Sequence, residues 1–143
     1  MRADGSRIIT NWALRVANLP AFRAIPDLSL TRLQEGMPSL LTALLAALAI
    51  ADPDVDPEPL SAAATEATEH GRVRAVEGFP IGVLLAEFHH LRAEVEAAVL
   101  RIVEDDPAAT STLAEMQSRL TSTFGTLAVA TAEGWAAALD WPH

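Results

Sequence analysis

The sequence predicts an all-α fold: an antiparallel bundle of about five helices, with a globin-like arrangement as one form open to it. Three observations carry this. Period-two alternation over β-branched residues is nearly absent. Ala and Leu, both strong helix formers, are abundant. Apolar residues recur at steps of three and four over long runs, which puts them on one face of a helix. The 143 residues suit one domain spanning 1–143. At 50% hydrophobic and 20% charged, the chain has enough apolar surface for a core.

The first helix is expected from Asp4 or Ser6, either of which can cap free first-turn N–H groups, to Leu19. Ile8, Trp12 and Val16 form its buried stripe, and Pro20 stops it. The link from Pro20 to Leu28 contains Pro26 and reads as irregular. The second helix spans Ser29–Ala51 but is split by Gly36 and Pro38, giving a short turn over 29–35 and a restart with Pro38 at N1. Leu41, Leu44, Leu45 and Leu48 make that restart apolar almost all round, which predicts a central position. Residues 52–59, Asp-Pro-Asp-Val-Asp-Pro-Glu-Pro, read as a solvated acidic connector, and their spacing matches no calcium loop.

The third helix is expected over Ser61–Glu77, ended by Gly78 at C′. The fourth starts with Pro80 at N1 and runs to Asp105, before Asp106-Pro107. Its stripe is Ile81, Leu84, Phe88, Leu91, Val95, Ala98 and Ile102. The fifth spans Pro107–Trp141, with a stripe from Leu113 through Leu120, Leu127 and Trp135 to Leu139. Gly125 and Gly134 bend it or admit a close neighbour. The two long heptad-like helices predict side-by-side packing and a dimer seam, with Phe88, Leu91, Val95 and Trp135 as the interface candidates.

Composition excludes several function classes. A net charge of −9 and a pI of about 4.7 argue against nucleic acid as a partner. The absence of Cys removes thiol catalysis, Cys-ligated zinc and iron–sulfur clusters. No signal-peptide core follows Met1, and the longest apolar run, Leu40–Ala51, is short of the ~20 residues a membrane span needs. A cytoplasmic chain with no membrane partner is expected. No nucleophile elbow, P-loop, GxGxxG or paired-carboxylate arrangement appears, so an enzyme is not expected.

One stretch carries specific information. Residues 70–92 read His-Gly-x-x-Arg-x-x-x-Gly-Phe, then Leu-x-x-Glu-Phe-x-x-Leu-Arg. With His70, Arg74, Gly78, Phe79, Glu87, Phe88, Leu91 and Arg92, and more weakly with Trp12 and Met37-Pro38-x-Leu-Leu, the chain resembles the N-terminal regulatory domain of RsbT co-antagonist (RsbRD-type) proteins. Similar domains stand before bacterial sensor histidine kinases and phosphatase or STAS-type modules. The resemblance implies a cytoplasmic, helical, non-enzymatic signal-input domain of a histidine kinase or stressosome-type protein. It implies a haem-free globin-like arrangement, a homodimer, and a kinase, phosphatase or STAS-type output module as partner.

The residues can be read without the family. If the third and fourth helices form a hairpin about Gly78-Phe79, facing residue numbers sum to about 157. Val73 then faces Leu84, Val76 faces Ile81 and His70 faces Glu87, with Arg74 one turn along from His70. His70, Arg74 and Glu87 form the expected polar cluster, to which the resemblance adds Arg92, and Gly78, Phe79 and Pro80 form its turn. A buried carboxylate needs a partner, which Arg74 can supply. A carboxylate beside an imidazole favours the imidazolium, so the cluster is either a lock on helix register or a pH-dependent sensing centre.

Other readings are weaker. His89-His90-Leu91-Arg92 resembles a histidine-kinase phosphoacceptor box, but Glu94 stands where its proline would be. His90/Glu94 and Glu66/His70 have i,i+4 ligand spacing, but two ligands make no metal site, and no metal is expected. No cofactor is expected either. The alternative function is a module binding a small molecule or cofactor, haem on His70 or His89 included, in a pocket between the second, fourth and fifth helices. Thr110–Thr112 read as N-caps and the later Ser and Thr of the fifth helix as small packing residues. Trp12, Trp135 and Trp141 read as core or interface residues.

Overall fold

Helix-forming composition and three-four apolar spacing yield five helices among the residues described by the computed structural model, which are 2–20, 34, 36–49, 55–105 and 113–140. They are α1 (Arg2–Ala17), α2 (Met37–Leu48), α3 (Glu58–Val76), α4 (Ile81–Asp105) and α5 (Leu113–Asp140). The fold is an all-α packed bundle. The expectations for residues 21–28 of the link, most of the 29–35 turn, residues 50–54, the Asp106-Pro107 stop, Thr110–Thr112 and Trp141 lie outside the described residues, as does the Ile102 side chain.

α1 begins before Asp4, so neither Asp4 nor Ser6 is its cap. Its end is closed by the Asn18 side-chain amide, which donates to the Leu14 carbonyl at 2.8 Å. Ile8, Trp12 and Val16 are buried as the spacing requires. α2 starts one residue earlier than expected: Gly36, at φ 81°, is its N-cap and Pro38 falls in the second helical position. A positive φ suits glycine, and Pro is tolerated where an N–H would be unpaired anyway. Leu40, Leu41, Leu44 and Leu48 are buried, but Pro38, Ser39, Thr42 and Ala46 are exposed, so α2 is not central. α3 takes up the end of the acidic connector. Glu58 and Pro59 form its first turn, where an acid meets the positive end of the helix dipole.

The packing partners differ from the expected pair of heptad helices. The largest interface is between α3 and α5, while α4 lies mainly against α1; the α4–α5 contact is smaller. The cause is glycine. A Cβ on Gly71 of α3 would fall on the Thr131 carbonyl of α5, and one on Gly134 of α5 would fall on the Thr68 carbonyl of α3. The two pairs run in opposite directions along the chain, so α3 and α5 are antiparallel and nearly touch backbone to backbone. Gly134 thus makes the close approach its sequence position suggested, whereas Gly125 has open space around it. Phe88, Leu91 and Val95, expected as a possible interface stripe, are buried within the chain's own core. That stripe is not an exposed seam. Trp135 is half-buried and packs on the same core, and Leu139, the last member of the α5 stripe, is 53% exposed. Among the described residues no helix is long and apolar enough to cross a membrane.

Candidate functional site: a buried ionic cluster between α3 and α4

The site is built on how α3 ends. Gly78 adopts φ 89°, a left-handed conformation that costs glycine little. Its N–H donates to Ala75 O at 3.0 Å, and the Phe79 N–H donates to Arg74 O at 2.9 Å. These are the two bonds of a Schellman cap. Such caps usually add an apolar contact between the residue after the glycine and the helix. Here the Arg74 guanidinium lies over the Phe79 ring, 4.6 Å from its centroid. The same turn therefore reverses the chain and fixes Arg74. Pro80 then stands one position before the first helical residue of α4, and its carbonyl accepts the first α4 bonds.

The three residues expected to meet do meet. The His70 Nε2 atom lies 3.0 Å from Glu87 Oε2, and Arg74 Nε lies 3.2 Å from Glu87 Oε1. Arg74 also donates from Nη1 to Glu77 Oε1 at 3.1 Å. Arg74 and Glu87 are each only 2% exposed, and His70 is buried. A carboxylate only accepts, so the His70 proton that faces Glu87 sits on Nε2. The Arg74 Nε–Glu87 Oε1 contact is an ion pair rather than an aligned hydrogen bond, because neither atom has hydrogen-bond geometry to a partner.

The expected hairpin is right in register and wrong in closeness. His70 faces Glu87, but α3 and α4 have no extensive backbone interface, and Val73 and Val76 are exposed, Val76 by 71%. The close α3–α5 contact draws α3 away from α4. Long polar side chains span the gap that Val73 and Val76 were expected to fill.

Arg92 is not in this cluster. It lies five residues from Glu87, about 140° around α4. Its Nε donates to Glu96 Oε1 at 2.8 Å and its Nη2 to Thr121 Oγ1 of α5 at 2.8 Å.

Two tryptophans tie the cluster to the remaining long helices. The Trp12 indole of α1 donates to the backbone carbonyl of Glu87 at 2.8 Å. The Trp135 indole of α5 donates to the Phe79 carbonyl at 2.7 Å. Four helices thus converge on Glu87 and on the turn that holds Arg74.

Sequence reasoning missed a second buried carboxylate. Glu94 is 5% exposed, and Arg15 of α1 reaches it with Nε at 2.7 Å from Oε1. The signal was present: Glu94 is seven residues, two turns, beyond Glu87 on the buried stripe. α4 therefore carries two core-facing carboxylates, one bound by α3 and one by α1.

The other histidines face differently. His89 is exposed and meets His90 edge-on, ring centroids 5.3 Å apart. Burial pushes the His90 imidazole below its ordinary value, with His89 and Arg15 adding to this and Glu94 opposing it. A histidine with a depressed folded value takes up its proton more readily when unfolded. Its stability contribution is complete above the unfolded value of about 6.5 and is lost as pH falls from there towards the folded value. Urea unfolding at pH 7.5 and 5.5 is expected to show a smaller loss on acidification for His90→Gln than for the wild type. Equal losses would remove His90 from the account.

As haem ligands, neither candidate histidine is placed for the task. His70 Nε2 is engaged by Glu87, and His89 faces outward; neither lines the apolar α3–α5 groove or the apolar cleft at Ile8, Val95 and Met116. Among the described residues, no group of three or more His, Asp or Glu is arranged to hold a metal ion.

Residues 7–140 match the family model described as the RsbT co-antagonist protein rsbRD N-terminal domain. Comparison with curated proteins and with solved structures gives no match.

Proposed function

Because the chain belongs to the RsbT co-antagonist rsbRD N-terminal domain family, we propose that it is the non-enzymatic signal-input domain of a stressosome-type regulator, and that the Glu87 cluster relays the signal through helix packing. The family carries the coarser statement: this is a regulatory signalling domain. The finer reading is a cytoplasmic, dimeric input domain that acts on an RsbT-class partner through an attached output module.

One observation supports the relay above the others. A single carboxylate, Glu87, is held by His70 and Arg74 of α3, while its own backbone carbonyl is held by Trp12 of α1. Packed interfaces of this kind tend to occupy discrete arrangements rather than to deform smoothly. A signal with unequal affinity for two such arrangements shifts their populations. Arg74 in turn faces two carboxylates, Glu77 and Glu87, so the contact set ties the end of α3 to α4.

The test compares wild type and Glu87→Gln, each in the full protein that carries the domain. Helix content and tryptophan fluorescence are followed from pH 5 to 8, and binding to a purified RsbT-class protein is measured in the same buffers. The relay predicts that Glu87→Gln stays folded, flattens the pH profile and changes partner binding. Identical profiles and identical binding would leave the cluster a structural lock only. Light scattering on the chain reads the dimer separately, and a monomer at every concentration would remove that part.

A further inference from the structure

Beyond Glu94, where α1 and α4 run away from the ionic cluster, we infer a binding site for a small uncharged apolar molecule, about the size of a single ring. A cleft of about 180 Å³ lies between four helices. Ile8 of α1, Leu45 and Leu48 of α2, Val95 and Ala98 of α4 and Met116 of α5 form its walls. Ile8, Leu48, Val95 and Ala98 are themselves buried core residues, so three of the walls are fixed by packing. Leu45 and Met116 are partly buried and pack against that core, and the unbranched Met116 thioether can adjust to what enters.

Chemistry and size select the occupant. Every described residue lining the cleft is apolar. A polar or charged solute would surrender its hydrogen bonds to water and find none there. Water itself needs two to four polar partners to be held in such a space. An apolar cavity of about 150 Å³ is known to remain dry and to take up benzene, so this cleft is of the right order for one ring or a short branched chain. It is too small for haem, and a peptide helix of about 10 Å diameter cannot enter it.

The position also links the cleft to the rest of the molecule. Ile8 is one turn from Trp12, whose indole holds the Glu87 carbonyl, and Val95 is two turns from Glu87 on the same face of α4. Filling the cleft therefore acts on the α1–α4 pair that reaches the cluster. Occupancy does not depend on the relay reading, because it is tested at Ala98 and the relay at Glu87.

The experiment is a methyl-detected NMR titration of the intact chain with benzene, with benzoate as a charged control. Saturable shifts confined to Ile8, Leu45, Leu48, Val95 and Met116 are expected with benzene and none with benzoate. Ala98→Leu fills the cleft and is expected to weaken benzene at least about tenfold, while the fold and melting temperature are kept. If Ala98→Leu does not fold, Ala49→Leu, on the exposed rim, is expected to block entry instead. Absence of saturable shifts up to the solubility of benzene overturns the site. So do shifts centred on the separate α3–α5 groove at Val76 and Ala137, or benzene binding that survives the filling variants.

Discussion

Replacing Gly71 with alanine is expected to destabilise the chain by roughly 3 kcal/mol, although alanine is the better helix former. Propensity alone predicts the opposite, a gain of up to about 1 kcal/mol for glycine to alanine inside a helix. Geometry decides the sign. The new methyl would fall on the Thr131 carbonyl, which belongs to backbone and cannot rotate away. α3 and α5 must then separate, and the largest helix–helix interface in the molecule loosens with them. For a chain of this length the melting temperature should fall by roughly 10 °C. Gly134→Ala meets Thr68 in the same way and should behave alike. The double variant is expected to cost less than the sum, since helices already parted by one methyl accommodate the second. Gly82→Ala and Gly125→Ala supply the control: both positions are helical, exposed and open, so each should gain about 0.5–1 kcal/mol. Thermal unfolding of the four single variants and the double variant checks this. A neutral or stabilised Gly71→Ala would mean that α3 and α5 do not approach as described.

The contrast among these glycines shows what the sequence could reveal. Gly78 was legible because a glycine between a helical run and Phe79-Pro80 has one economical use, a left-handed cap, and the cap bonds are present. The stripes of α1 and α4 were legible because burial follows three-four spacing directly. The His70–Glu87 contact followed from counting away from that cap, since two straight helices leaving one turn keep their register. Which helices lie closest did not follow. Gly71 and Gly134 lack side chains, so an apolar pattern gives them no weight, yet they permit the close α3–α5 approach. Val73 and Val76 were expected to pack because they are apolar and near the turn; the α3–α5 contact turned them to solvent. The resemblance sets Arg92 with the cluster, but rotation around α4 carries it to α5. Glu94 was legible by the rule that found Glu87, the same face two turns on, but a carboxylate at a core position reads as solvent-facing until its arginine is located.

Arg74→Leu is expected to be the most damaging single change in the ionic cluster, at about 3–5 kcal/mol, because it leaves the buried Glu87 carboxylate with the His70 contact alone. Arg74 serves both Glu77 and Glu87, and its guanidinium also covers Phe79. Glu87→Leu should cost less, since Arg74 keeps Glu77 as a partner. Arg74→Leu/Glu87→Leu removes both buried charges at once and is expected to be more stable than Arg74→Leu alone. Denaturant unfolding of the four proteins closes the cycle, and strict additivity would mean that the two side chains do not interact. The doubly apolar chain then separates packing from signalling. It can hold α3 and α4 together but has no carboxylate for His70 to engage. If it is folded and still couples to an RsbT-class partner as the wild type does, the cluster fixes helix register and carries no signal. If it is folded and uncoupled, the charges are retained in the core for the relay, despite the stability that apolar side chains would have provided.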